Sequence, residues 1–114
     1  MTALFAPCKA GVLNLHHRIV LAPMSRYRCT NQMAPDSMTA EYYAQRASLG
    51  GLLITEATHI NPEGTPVWNI YPAIRDHGGE SPGIWTDEQT AAYRQVVDEA
   101  VSYTHLTLPT ILLV

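Results

Sequence analysis

Three short runs of apolar residues predict the strands of this chain. Val12–Leu15 and Arg18–Leu21 are the first two, joined by a polar stretch. The second run continues into Ala22-Pro23, and the strand should end there because proline has no N–H to donate to a sheet. The third, Leu52–Glu56, is a continuous apolar run with a polar end, which is typical of a parallel strand buried on both faces.

A helix is predicted between the second and third runs. Residues Thr39–Leu49 have a helical composition, with Tyr42, Arg46 and Leu49 at spacings of four and three. Gly50-Gly51 follows, and glycine ends helices without steric cost. The order strand, helix, strand predicts a βαβ unit with a right-handed crossover.

A second helix is predicted near the carboxyl end. Thr86-Asp87-Glu88-Gln89 matches a capping box, in which Thr86 caps the helix and Gln89 reaches back. Its apolar positions then follow a helical period: Ala91, Tyr93, Val96, Val97 and Ala100. Residues 61–83, between the last strand and this helix, are rich in Pro, Gly, Asn and aromatic residues. A loop of that length is usually functional.

Composition and charge narrow the class of protein. The 114 residues are 46% hydrophobic and 15% charged, which suits one small folded domain. The formal charge of −3 gives no electrostatic reason to expect nucleic acid or an anionic membrane as partner. No uncharged apolar run reaches the roughly 20 residues of a membrane span. Two cysteines are too few for a disulfide framework, so we expect a reducing, cytoplasmic location.

The character of the sequence changes after Ala100. Residues 86–100 hold five charged side chains, whereas residues 101–114 hold none and end in Ile111-Leu112-Leu113-Val114. One interpretation is a further strand, but Pro109 interrupts it and no glycine ends the helix. The alternative is that residues 101–114 are foreign to the domain, and their Ser-Tyr-Thr-His-Leu-Thr-Leu-Pro-Thr core is similar to translated sequencing adapter.

Candidate chemistry lies at the ends of two predicted strands. Pro23-Met24-Ser25 follows the first, and Thr55-Glu56-Ala57 ends the next. In parallel sheets ligands bind beyond the carboxyl ends of the strands. A hydroxyl there can hydrogen-bond to a ligand, and a small residue lets a flat ligand approach the backbone closely. Taken singly, a strand-ending proline and ordinary packing are the better explanations of these residues. Because neighbouring parallel strands end side by side, each site strengthens the other.

Other reactive residues carry weaker signals. None of the five histidines has zinc-ligand spacing, and the cysteines form no Cys-x-x-Cys, so no metal site is predicted. Cys29 is either a reactive thiol or a small side chain beside the pocket. Glu56 suits a general base, but the sequence names no partner for it.

Five ordered motifs together resemble the old yellow enzyme family, with its oxophytodienoate-reductase-like branch the most similar. The resemblance runs from about Leu4 to about Ala100. The motifs are Leu4-Phe5-Ala6-Pro7, His17–Arg26, Glu41–Ala47, Gly50–Glu56 and Pro82–Thr86. It implies an α/β fold, part of an FMN-binding (β/α)8 TIM barrel that an N-terminal hairpin closes at its base. The strands at 12–21 would supply that hairpin and lead into the barrel.

The resemblance also implies a reaction and a set of residues. Members use NAD(P)H to reduce FMN, and the reduced flavin reduces the C=C bond of an enone or another activated alkene. Carried over, Pro23, Met24 and Ser25 match the first flavin-contacting motif, in which the hydroxyl hydrogen-bonds a flavin carbonyl. Ala57 matches a small flavin-contacting residue of the second strand, and Tyr27 a substrate-pocket aromatic.

Much of the family pattern lies outside this sequence. A (β/α)8 barrel needs about 250 residues, so residues 1–100 would supply two strands and two helices of a truncated barrel. The family's carbonyl-binding pair, proton-donating tyrosine and phosphate-binding arginine are absent, so no catalytic residue is expected in this chain. The alternative is a catalytically inactive truncated fragment, at most an interaction module.

Overall fold

The computed structural model describes residues 3–64 and 81–102, and these form two helices and two two-stranded sheets. In chain order the elements are β1 (Cys8–Ala10), β2 (Leu13–Leu15), β3 (Val20–Leu21), α1 (Ser37–Ala44), β4 (Leu52–Leu53), a 3-10 turn (Pro62–Gly64) and α2 (Asp87–Ser102). The part of the 61–83 loop at 65–80, and residues 103–114 of the predicted foreign tail, lie outside the described residues.

The N-terminal hairpin is formed by a different pair of strands from the one expected. β2 pairs antiparallel with β1, with Cys8 opposite Leu15 and Ala10 opposite Leu13. The prediction that the strands at 12–21 form the hairpin was wrong, because Gly11 takes a left-handed φ of +61° and reverses the chain before Leu13. The Cys8–Ala10 strand has only three residues, which is too short to predict a strand from the apolar pattern.

The predicted parallel pair is present. β3 pairs with β4 in parallel register, with Val20 opposite Leu52 and Leu21 opposite Leu53, and α1 connects the two strands. The strand β4 is shorter than the predicted Leu52–Glu56, and its two leucines are half-buried. Within the described residues β3 is its only neighbour, so the expected burial on both faces is not seen.

Helix α1 begins earlier and ends earlier than the predicted Thr39–Leu49. Asp36 caps it, since its carboxylate accepts hydrogen bonds from the Thr39 amide at 2.8 Å and the Thr39 hydroxyl at 3.0 Å. After Ala44 the backbone tightens: the amide of Ala47 bonds to the carbonyl of Ala44, three residues back. Gly50, with φ of +69°, therefore turns the chain into β4 rather than ending the helix.

Helix α2 begins with the predicted capping box. The backbone amide of Gln89 donates to Thr86 Oγ1 at 3.2 Å, and the side-chain oxygen Oε1 of Gln89 accepts from the backbone amide of Thr86 at 3.1 Å. The buried Gln89 side chain also donates to the carbonyl of Gln32 at 2.9 Å, which ties the helix to the loop before α1.

The core lies between the two helices and the parallel strands. Ala40 and Tyr43 of α1 pack against Val96 and Ala100 of α2, and Leu21 and Leu53 of the strands pack on this cluster. Of the predicted apolar positions of α2, Ala91 is exposed and Val97 is half-buried, so the buried stripe is narrower than the pattern indicated. Neither helix of the described residues is long and apolar enough to cross a membrane.

Candidate functional site at the ends of the parallel strands

The carboxyl ends of β3 and β4 form one edge of the molecule. The ladder of backbone hydrogen bonds continues past the strands to the Ile54 amide, which donates to the Leu21 carbonyl at 3.0 Å. The segments 22–27 and 55–58 therefore leave the sheet together. This is the side-by-side arrangement expected from the sequence, and we call these two segments the rim.

The residues predicted to contact a ligand are mostly exposed on the rim. Pro23, Met24, Ser25 and Ala57 are all exposed, with Met24 at 52%. Tyr27 is half-buried and has a left-handed φ of +55°, a conformation that non-glycine residues rarely adopt. An apolar thioether, a hydroxyl and a small methyl group are thus all accessible at one edge.

A buried ion pair lies behind this exposed surface. The Glu56 side chain is 2% exposed and the Arg26 side chain 14%. One carboxylate oxygen of Glu56 accepts from the Arg26 guanidinium, and the other accepts from the Arg26 backbone amide at 2.9 Å. The carboxylate thereby joins the two rim segments through both the side chain and the main chain of Arg26.

Tyr43 of α1 completes this cluster. Its hydroxyl oxygen accepts from the Glu56 amide at 2.9 Å and from the Arg26 guanidinium at 3.3 Å. Burial raises the pKa of the Tyr43 hydroxyl, so the group stays neutral beside the ion pair. Arg26, Glu56 and Tyr43 together are called the clamp below.

Two aromatic rings stack with the clamp arginine. The Arg26 guanidinium carbon lies 4.0 Å from the centroid of the Tyr42 ring and 4.7 Å from that of Tyr43. Arg46, two residues past the end of α1, also contacts the Tyr42 ring, at 3.8 Å. These contacts hold the guanidinium against α1.

A second chain of hydrogen bonds joins the rim to α2. Thr58 Oγ1 donates to the carbonyl of Glu56 at 2.9 Å and lies 2.6 Å from the Tyr93 hydroxyl. Because the single hydroxyl hydrogen of Thr58 is directed at a carbonyl, Tyr93 is the donor in the second bond. Burial raises the pKa of Tyr93, which keeps this donor protonated.

The remaining candidates are not organised as reactive centres. His17 Nδ1 accepts from the Ile19 amide at 3.2 Å, so its Nε2 carries the hydrogen and donates to Ser48 Oγ at 2.8 Å. A histidine in that tautomer does not activate the serine as a nucleophile. The described residues contain no cluster able to hold a metal ion, and His77 and His105 lie outside them. Cys29 is a buried thiol.

Sequence reasoning missed the clamp. It considered Glu56 as a general base but named no partner for it, and it treated Arg26 and Tyr43 only as parts of motifs. A usable signal was present, since residues of opposite charge follow two adjacent parallel strands. The role of Tyr43 required the helix to be placed against the strand ends.

Comparison with known proteins gives consistent results over most of the chain. The model of the NADH:flavin oxidoreductase / NADH oxidase family matches residues 3–105, which extends past the predicted boundary at residue 100. The 12-oxophytodienoate reductase 1 of Oryza sativa subsp. japonica is 44% identical over 95 residues, covering 83% of this chain and 22% of that protein. A probable inactive dehydrogenase of Claviceps fusiformis is 43% identical over 100 residues, covering 87% and 23%.

Solved structures show the same relationship. Morphinone reductase, determined in complex with tetrahydroNAD, superimposes with a TM-score of 0.72 at 36% sequence identity. The match covers 89% of this chain and 24% of that structure. This chain therefore spans about a quarter of the length of the proteins it matches, and its described residues form a small α/β unit rather than a closed barrel.

Proposed function

The chain belongs to the NADH:flavin oxidoreductase / NADH oxidase family, which includes the old yellow enzymes, and from this we propose a function for the complete protein. It is an FMN-dependent NAD(P)H oxidoreductase that reduces the C=C bond of α,β-unsaturated carbonyl compounds. The present chain supplies the N-terminal segment of its TIM barrel: the hairpin, the first two barrel strands and their helices.

The observation that carries the proposal is that exposed side chains stand directly beside the buried clamp on both rim segments. Ser25 and Ala57 are exposed, whereas their chain neighbours Arg26 and Glu56 are held in the clamp. Such an edge offers fixed contact points to a ligand without exposing a charge. The proposal assigns Pro23, Met24, Ser25 and Ala57 to the cofactor and Tyr27 to the substrate pocket.

The chemistry of these residues fits the ring system of FMN. A flavin ring is flat and carries carbonyl oxygens, so it suits the apolar surface of Pro23 and Met24, a hydroxyl donor at Ser25 and close approach at Ala57. The charge of Arg26 is neutralised by Glu56, so the rim suits the ring better than the phosphate. Bound FMN would supply the hydride-transfer chemistry, and these residues would bind and orient its ring.

A second candidate is a protein without catalysis, which at most takes part in protein interactions. A relative described as a probable inactive dehydrogenase is 43% identical to this chain, close to the 44% of the 12-oxophytodienoate reductase. Similarity in this segment therefore does not separate active from inactive members, and the activity of the complete protein decides between the two.

The test is an assay of the complete protein that carries residues 3–102. Purified and saturated with FMN, it should bind the flavin and oxidise NADPH or NADH when cyclohexenone is added, with loss of the C=C bond in the product. The 114-residue chain, tested in parallel, should bind FMN weakly or not at all and show no turnover. Flavin binding without reduction of any activated alkene would favour the second candidate.

A further inference from the structure

The clamp begins where the pairing of the strands ends. The last backbone hydrogen bond between the two strand segments joins the Ile54 amide to the Leu21 carbonyl. Beyond it, the bonds that connect the two rim segments come from the Glu56 carboxylate, which accepts from the amide and the guanidinium of Arg26. The Glu56 side chain therefore connects the two segments beyond the point where backbone hydrogen bonds between them end.

All polar groups of Glu56 have partners in this arrangement. Its amide donates to the hydroxyl of Tyr43, its carbonyl accepts from Thr58, and its carboxylate accepts from Arg26. Tyr43 belongs to α1, and Thr58 is tied to α2 through Tyr93. The backbone on both sides of Ala57 is therefore fixed by the two helices that form the core.

The backbone of the other rim segment is also fixed, in this case by the Glu56 carboxylate. The Arg26 amide is held by Glu56, so the peptide that joins Ser25 to Arg26 has a fixed orientation. The next residue, Tyr27, is in the left-handed region with φ of +55°. Such a conformation persists only where the surroundings determine it, and residues that adopt it are enriched at ligand-binding and active sites.

A buried ion pair contributes little net free energy to folding. The desolvation of two charges can cancel their attraction, and a well-packed apolar pair of similar volume is often as stable or more so. The ion pair instead fixes the relative orientation of the groups it joins. A carboxylate that accepts hydrogen bonds from both a guanidinium and a backbone amide allows few arrangements of its partners. The geometry therefore favours a role in orientation over a role in stability.

We propose that Glu56, Arg26 and Tyr43 are positioning residues that hold the Ser25 hydroxyl and Ala57 at a set spacing before the cofactor binds. They act through the backbone of the rim and do not touch the flavin. This inference rests on the proposed function, since it takes the flavin ring as the ligand of the rim.

The experiment is a double-mutant cycle on the complete protein, read as the midpoint potential of the bound flavin and as FMN affinity. Ser25→Ala is measured alone and combined with Glu56→Gln, with Tyr43→Phe and with Tyr42→Phe. The last variant is the matched control, because it removes a neighbouring hydroxyl but keeps the ring that stacks on Arg26. Tyr43→Phe keeps the test valid if Glu56→Gln does not fold.

The expected result is that Ser25→Ala shifts the potential in the wild-type and Tyr42→Phe backgrounds. In the Glu56→Gln and Tyr43→Phe backgrounds the shift should fall to less than half, and FMN affinity should drop about tenfold. A purely structural role would lower stability but leave the shift unchanged. If Ser25→Ala shifts the potential equally in all backgrounds, the positioning role is wrong and the proposed function stands. If Ser25→Ala has no effect in the wild type, or no FMN binds, the assignment of the rim to the flavin fails as well.

Discussion

Replacing Tyr43 by phenylalanine removes one oxygen atom from the interior and nothing else. The ring is 3% exposed and packs in the core between the helices, so Tyr43→Phe keeps its apolar contacts. It removes the acceptor of the Glu56 amide, and Glu56 is itself only 4% exposed. The amide is then left buried without its partner. Arg26 loses only a long contact of 3.3 Å, because its guanidinium keeps the Glu56 carboxylate.

The expected cost follows from the desolvation of that amide. An unpaired buried donor costs about 1–3 kcal/mol, so we expect Tyr43→Phe to destabilise the rim by about 2 kcal/mol. Because about 1.4 kcal/mol corresponds to a factor of ten, local opening should become roughly 30-fold more frequent. The matched change Tyr42→Phe, one residue earlier on the half-buried side of α1, should cost less than about 0.5 kcal/mol.

Amide hydrogen exchange of the complete protein measures this directly. Peptides that contain Glu56 should exchange much faster in Tyr43→Phe than in the wild type, and at wild-type rate in Tyr42→Phe. Peptides from β1 and β2, whose strand pairing involves none of the clamp residues, serve as an internal reference. If the Glu56 peptides exchange at the same rate in Tyr43→Phe and Tyr42→Phe, whether both rates are fast or both are unchanged, the claim that the Tyr43 hydroxyl holds the strand end is refuted.

Three further predictions concern other parts of the chain. Gly50→Ala should lower the urea midpoint more than Gly11→Ala. Both glycines have a left-handed φ, but only a Cβ at Gly50 would overlap the His16 side chain; equal losses would show that the His16 side chain moves aside at no cost. Burial raises the pKa of Tyr93 in the folded state, so its contribution to stability is complete below the unfolded value of about 10 and is lost as pH rises above it. Tyr93→Phe should therefore flatten the fall in stability in alkaline urea titrations, and an unchanged slope would contradict this. Sequencing the genomic locus should show an authentic reading frame that diverges from this chain near residues 100–101, whereas the same frame through residues 101–114 would disprove the foreign tail.

Parts of the fold were predictable because short sequence patterns specify them. Thr86 and Gln89 satisfy each other locally, so the start of α2 follows from four consecutive residues. The parallel pairing of β3 and β4 follows from two apolar runs separated by a helix. The hairpin was not predictable in the same way, because the strand Cys8–Ala10 is only three residues long and is defined by its partner strand and by Gly11.

The candidate site shows the same division. Exposed Ser25 and Ala57 lie where the ends of two parallel strands place them, and sequence reasoning located both segments. The clamp depends on Tyr43, which comes from a helix and reaches the Glu56 amide only after the helix has packed on the strands. Contacts of this kind depend on tertiary packing, and no local pattern of residues specifies them.

The central claim is that the rim holds the flavin ring, with the Ser25 hydroxyl as a hydrogen-bond donor. The most direct measurement is the distance from Ser25 Oγ to the nearest flavin carbonyl oxygen in a crystal structure of the complete protein with FMN. The account predicts a hydrogen bond of about 2.5–3.0 Å, with Ala57 against the ring and the Arg26–Glu56 ion pair intact behind it. A flavin bound elsewhere, with Ser25 Oγ facing solvent, would contradict it.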